Sequence, residues 1–251
     1  TITGANDAPN IAVVDVAGDI LEGSTLTDNG SVTFTDLDLT DRPVATEATA
    51  NVTALQQDGL TALTLTAAQL TDLEDAFTII NVASNTNDGT VTWDYTITEA
   101  QLDFLGEGEV VTAVFTVTVT DDEGATATQD VTITITGAND APNIAVVDVA
   151  GTILEGNTLT DNGSMTFADL DLTDRPVATE ATANVTALQQ DGLTALTLTA
   201  AQQADIEAAF TIDDSGNTND GTVTWDYTIL GARKSVVYGE RVDPGGRRII
   251  T

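Results

Sequence analysis

Cysteine and histidine are both absent from the 251 residues, and Lys+Arg number only 7 against 40 Asp+Glu. Without cysteine there are no disulfides and no thiol chemistry. Without histidine or cysteine, neither a Ser-His-Asp nor a Cys-His catalytic set can be assembled, and zinc and copper lose their usual ligands. The scarcity of basic residues leaves a formal net charge of -33, which argues against nucleic acid as a partner because a polyanion would be repelled along most of the surface. No apolar run approaches the roughly 18 residues of a membrane span. No signal peptide is recognisable, but the chain starts without Met and in mid-repeat, so it reads as a piece of something longer. There is no Gly-rich phosphate loop and no EF-hand pattern. Acids are so numerous that any carboxylate pair of the kind used in glycoside hydrolysis carries no information. The chain reads as a non-enzyme.

What is abundant is negative charge, threonine and a repeat. The charge has two readings: a strongly solvated, aggregation-resistant surface, or a protein whose carboxylates are partly neutralised by divalent cations. Calcium needs neither histidine nor cysteine, so the absences leave it open. Five of the seven basic residues (Arg233, Lys234, Arg241, Arg247, Arg248) fall near the C-terminus, which makes the body more acidic still.

The ten residues Thr-Ile-Thr-Gly-Ala-Asn-Asp-Ala-Pro-Asn open the chain at Thr1 and recur from Thr134, with flanks that also align. Self-similarity at that period marks a tandem array. Expected organisation is therefore a complete repeat over residues 1–133, a second and truncated repeat over 134–229, and a non-homologous basic tail over 230–251. The tail reads as frame-shifted or vector-derived, or alternatively as a genuine C-terminal cap. The second copy stops matching after Ile229, so it lacks the strands that close the first. It is expected to be marginal and to be digested by proteases well before repeat one.

Within repeat one, strands are expected at residues 11–16 (broken by Gly18), 31–35, 44–56, 60–66, 90–97, 110–120 and 125–136. The last two form a long hairpin through Asp121-Asp122-Glu123-Gly124. Asp28-Asn29-Gly30 reads as a tight turn. Thr66-Ala67-Ala68-Gln69 and Thr98-Glu99-Ala100-Gln101 are capping-box patterns, the first leading a short helix through Leu70, Leu73 and Phe77 and the second a single helical turn ended by Gly106. The fold class expected is all-β: tandem Greek-key, Ig/cadherin-like β-sandwiches with short helical inserts. Trp93/Trp225 and Tyr95/Tyr227 alternate with Thr and Asp and are read as core.

Oxygen-bearing side chains cluster at the loop ends: Asn6/Asp7, Glu22, Asp36/Asp38 and Asp121/Asp122 in repeat one, and Asn139/Asp140, Glu155 and Asp169/Asp171 in repeat two. Calcium takes about six to eight oxygens from carboxylates, carboxamides and backbone carbonyls. Asp, Asn and Gly also simply make turns and blunt strand edges, and for a single cluster the two readings stand side by side.

The seam Thr-Ile-Thr-Gly-Ala-Asn-Asp-Ala-Pro, preceded in repeat one by Val-Thr-Asp-Asp-Glu-Gly, resembles the VCBS-type, cadherin-like tandem repeats of large bacterial RTX-type surface adhesins. The resemblance covers both repeat starts and the end of repeat one. It implies exported sandwiches strung end to end at the bacterial cell surface, with Ca2+ rigidifying the junctions. On that basis the metal ligands would be Asn6, Asp7, Glu22, Asp36, Asp38, Asp121, Asn139, Asp140, Asp169 and Asp171. The function implied is that of a calcium-rigidified spacer supporting adhesion and biofilm formation. Its partners would be neighbouring repeats of the same polypeptide, with contact to host or surface ligands left to other domains. The competing reading is a cadherin-like module that grips a glycan or a protein through exposed aromatics.

Overall fold

The computed structural model describes residues 1–81, 86–214 and 218–229. Two compact units emerge: Thr1–Ala141 together with Leu170–Asp174, and Pro142–Asp169 together with the chain from Arg175. The tail expected at residues 230–251 lies outside the described residues.

The first unit is a two-sheet sandwich. One sheet has the order β1-β3-β6-β5, built from β1 (Asn10–Asp15), β3 (Thr27–Thr35), β5 (Phe77–Asn81) and β6 (Asp88–Thr96). The other has the order β2-β8-β7-β4, built from β2 (Ala17–Leu21), β4 (Val44–Leu55), β7 (Val110–Thr120) and β8 (Thr126–Thr136). All pairings are antiparallel except β2 with β8. This is the ABED/CFG strand arrangement of an immunoglobulin sandwich, with the first strand split between the sheets. The split falls at Val16, where one extended stretch leaves β1 and enters β2.

Strict alternation drives the closure. On β7, Val111, Ala113, Phe115, Val117 and Val119 are all buried while the intervening residues are only half-buried. From β8 come Val131, Ile133 and Ile135. They meet Val32, Phe34, Phe77, Val91, Trp93 and Tyr95 of the opposite sheet, with Phe115 stacked on Phe77 at a 4.2 Å centroid separation. Burying each such side chain contributes roughly 1.5–3 kcal/mol. Both capping boxes form. Thr66 caps helix α1 (Ala67–Asp75) and Thr98 leads a 3-10 turn over Glu99–Gln101.

Four local expectations are corrected. Gly18 does not break a strand: β2 runs through it, and a Cβ there would meet Ile133 Cδ1 at 2.7 Å. Asp28-Asn29-Gly30 is not a turn but part of β3, where Gly30 pairs with Trp93 and a Cβ would sit 2.5 Å from the indole ring. Both glycines serve close approach, not chain reversal. Phe77 is not on the helix, which ends at Asp75, and opens β5 instead. Residues 60–66 form no strand. The Asp58 carboxylate accepts from Leu60 N, Thr61 N and Thr61 Oγ1, curling the chain, and only a single bridge joins Leu55 to Ala62.

The second unit reproduces one sheet only, in the order β9-β10-β12-β11, from β9 (Asn143–Asp148), β10 (Thr160–Ala168), β11 (Phe210–Asp213) and β12 (Asp220–Thr228). Helix α2 (Ala200–Glu207) carries the same capping box, from Thr199 and Gln202. Among the described residues it has no second sheet.

Candidate metal centres

At one end of the first unit the stretch Asp36-Leu37-Asp38-Leu39-Thr40-Asp41 is folded inside out. Asp36 and Asp41 are 5% and 3% exposed, whereas Leu37 and Leu39 are 79% and 80% exposed. Hydrophobic burial alone would produce the reverse. The turn holds itself in this form: Asp38 N donates to Asp36 Oδ1 at 2.9 Å and Asp41 N to Asp38 O at 3.0 Å. Asn87 clamps the end of β3 by accepting from Asp36 N at 2.8 Å. Oxygens from Asp36, Asp38 and Asp41 converge within 4.8 Å of one another. Asp36 Oδ2 and Asp41 Oδ2 are buried and accept no hydrogen bond. The neighbouring Arg42 guanidinium donates to the backbone carbonyls of Leu39 and Asp41. Burial first, then the charges of Glu123, Asp36, Asp38 and Asp121, push the Asp41 carboxyl up to about 6.

The N-terminal linker joins this group. Asp7 N donates to Asp38 Oδ2 at 2.7 Å, and Asn6 Nδ2 donates to Asp121 Oδ2 at 2.9 Å. Asp121, at the β7–β8 turn, is also held by the amides of Glu123 and Ala125. The Asn6 amide holds its carboxyl below the usual carboxylate range.

A second group lies at Glu22, just after β2, and draws in the linker that follows β8. Glu22 is buried and its Oε2 accepts from Ala138 N at 2.8 Å. Oxygens of Glu22, Asp103 and Asp140 lie within 4.8 Å of one another. Asp140 N donates to Asp171 Oδ2 at 2.9 Å, repeating the contact of Asp7 with Asp38. Burial, followed by the charges of Asp140, Asp171 and Glu99, raises the Glu22 carboxyl to about 7 against the opposing amide of Ala138. Asp169 and Asp171 repeat Asp36 and Asp38 in the sequence, and each is buried while Leu170 is exposed.

Of the residues singled out from sequence, Glu22 and Asp140 thus meet, as do Asp36 with Asp38, Asp7 with Asp38, Asn6 with Asp121, and Asp140 with Asp171, while Asp169 is buried in the second unit. Asn139 stands apart: it is exposed and its amide donates to Asp140 O. Glu155 and Asp122 are exposed and join none of the acidic groups. Three carboxylates were not singled out. Asp41 and Asp174 complete a spacing of two and three residues that the Asp-x-Asp pattern already contained. Asp103 follows the helical turn after Thr98, and nothing in its neighbourhood in the sequence marks it.

The donor sets fit a hard cation. Calcium takes about six to eight oxygens at roughly 2.3–2.6 Å. The first group offers all-oxygen carboxylates with two buried oxygens that no hydrogen bond satisfies, a costly arrangement unless a positive charge sits among them. Trp93 and Tyr95 are 1% and 0% exposed, Trp93 Nε1 donating to Asp15 O and Tyr95 Oη to Leu73 O. They are core, not a ligand platform.

Residues 40–134 match the family model of the bacterial Ig domain (Big_9). No curated protein matches the chain. Similar solved structures include the ASH/PapD-like domain 7 of human CEP192, at 9% identity and TM-score 0.34, covering 55% of this chain and 89% of that one. Another is the sialic acid binding region of a Streptococcus sanguinis SK1 adhesin bound to 3'sLn, at 12% identity and TM-score 0.30, covering 97% and 72%. A third is a chimeric titin Z1Z2, at 14% identity and TM-score 0.27, covering 90% and 84%. The segment that matches the bacterial Ig model runs from β4 into β8 and covers less than half of the chain.

Proposed function

We propose that this chain is spacer material of a bacterial surface protein: Ig-like repeats in tandem whose acidic ends bind calcium and stiffen the chain at the repeat junctions. The observation that carries the reading is the inverted Asp36–Asp41 turn, with carboxylates inward, leucines outward and two buried oxygens without a partner. The bacterial Ig match over residues 40–134 supports the surface setting. Asp36, Asp38, Asp41 and Asp121 would hold one ion, with Asn6 and Asp7 of the linker above them. Glu22, Asp103, Asp140 and Asp171 would hold another. Without a cation, each cluster repels itself and the linker is released; with one, the linker is cross-linked to the body of the repeat. No catalytic role is assigned. Among the described residues no helix is long and apolar enough to cross a membrane.

The test is thermal melting combined with small-angle scattering, in calcium, in magnesium and in chelator. Calcium should raise the melting temperature of the first unit and lengthen the particle. Magnesium should substitute poorly, since it demands tighter octahedral geometry. Identical melts and scattering curves in all three would refute the reading.

A further inference from the structure

The first unit includes a short segment from later in the chain, Leu170–Asp174. Its five letters, Leu-Asp-Leu-Thr-Asp, are those of residues 37–41 in the same unit. The two copies are packed differently. Leu39 is 80% exposed and Thr40 is exposed as well. Leu172 is 36% exposed and Thr173 is half-buried. With the letters identical, the surroundings make the difference.

Those surroundings are the turn that precedes β7. Residues 106–109 close on themselves: Glu109 N donates to Gly106 O at 3.0 Å, and Gly106 N to Glu109 Oε2 at 3.1 Å. Glu109 is buried and belongs to none of the acidic groups. Its other oxygen, Oε1, accepts from Thr173 Oγ1 at 2.8 Å. A buried carboxylate oxygen requires such a donor, because leaving it unpaired costs its desolvation. Nearby, Leu172 N donates to Phe104 O at 3.3 Å. A Cβ on Gly106 would stand 3.7 Å from both Asp171 Cβ and Thr173 Oγ1, so the segment lies directly on the turn. The same turn grips the linker after β8, Gly137 N donating to Glu109 O at 2.9 Å and Gly108 N to Gly137 O at 3.2 Å.

Seated there, Asp171 is fully buried, accepts from Asp140 N, and its charge acts with that of Asp140 on Glu22. Carboxylates at such distances repel one another, so contacts outside the group must keep Asp171 in place. The bond from Asp140 ties the segment only to the linker, as Asp7 is tied to Asp38. The contacts to Phe104 and Glu109 tie it to the body of the unit. We propose that Glu109 is a positioning residue for the second acidic group: through Thr173 it seats Leu170–Asp174 on the first unit and keeps Asp171 beside Glu22 and Asp140 whether or not an ion is bound. The bonds that do this run through a hydroxyl and a backbone amide, not through a proposed metal ligand. That Asp171 then meets calcium rests on the calcium reading proposed above; the seating of the segment does not.

The experiment compares the full chain with its Thr173→Val, Thr173→Ser and Thr40→Val variants, by residue-resolved amide exchange in chelator and by calorimetric titration of calcium. Val keeps the shape of Thr and removes the hydroxyl; Ser keeps the hydroxyl. In chelator, exchange at Leu172 should be about tenfold or more faster in Thr173→Val, with Thr173→Ser and Thr40→Val matching the unaltered chain. In calcium, Thr173→Val should weaken the component of Glu22, Asp103, Asp140 and Asp171 about tenfold and leave that of Asp36, Asp38 and Asp41 unchanged. Unchanged exchange at Leu172, a Thr173→Ser variant that behaves as Thr173→Val, or equal weakening of both calcium components overturns the proposal. An unchanged calcium titration in Thr173→Val overturns it equally. No calcium heat in the unaltered chain refutes the calcium reading, and exchange in chelator then decides the seating by itself.

Discussion

Residues 44–55 and 177–188 carry the same twelve letters, Val-Ala-Thr-Glu-Ala-Thr-Ala-Asn-Val-Thr-Ala-Leu. The first set is the strand β4, in register with β7 from Val44↔Thr120 to Leu55↔Val110. The second set joins no sheet. Propensity and alternation are identical, so neither decides the outcome. What differs is the partner: β4 lies beside β7, and among the described residues no strand lies beside 177–188. The helices tell the opposite story. α1 and α2 both form, each closed by a Thr…Gln capping box, because a cap and its four amides are neighbours in the chain. Local chemistry travels with the repeat, and sheet pairing does not.

The contrast can be broken first at the aromatic core. Phe77 is buried and stacked on Phe115, while its counterpart Phe210 is only half-buried. Phe77→Ala should cost about 3–5 kcal/mol in denaturant unfolding of the first unit. Phe210→Ala should cost about half as much or less in the second. Equal costs would mean that the second sheet contributes little to the first unit.

Acidity should separate the units next. In chelator, Glu22 is raised from 4.5 to about 7 and Asp41 from 3.8 to about 6, chiefly by burial. Between the ordinary and the raised values the folded unit holds more protons than the unfolded chain, so its stability falls as pH rises through that window and returns on acidification. The melting temperature of the first unit should therefore be higher at pH about 5 than at pH about 8. Calcium, by holding the ionised forms, should flatten the difference; a melting temperature that rises with pH in chelator would contradict the assignment.

Tyr95 offers a finer comparison. It is 0% exposed and donates to Leu73 O at 3.1 Å. Tyr95→Phe should destabilise by about 1–2 kcal/mol, whereas Tyr227→Phe, on a partly open face, should stay within about 0.5 kcal/mol. The smallest effect should also be the most equal: Thr66→Ala and Thr199→Ala should each cost about 1 kcal/mol, read as helix loss by exchange at the following turn. A large inequality there would show that the helices depend on the sheets after all.

The sequence made plain whatever depends on near neighbours or on simple periodicity. The β7–β8 hairpin is legible from eleven-residue runs of alternating Val and Thr, and both helices from their caps. The inverted turn was visible as Asp-Leu-Asp-Leu, although only burial shows that the carboxylates, and not the leucines, point inward. Other features turn on distant contacts. Gly18 and Gly30 look like breaks and turns until Trp93 and Ile133 are seen pressing against them. Asp103 joins Glu22 and Asp140 only through folding. The failure of residues 177–188 to become a strand is invisible in those residues themselves.

Calorimetric titration of calcium into the chain and into its Asp36→Asn, Asp41→Asn double variant bears most directly on the account. The unaltered chain should bind with saturable heat, and the double variant should lose the component belonging to the inverted turn while its exposed leucines and its fold remain. No calcium heat in the unaltered chain, or an unchanged titration in the double variant, would contradict it.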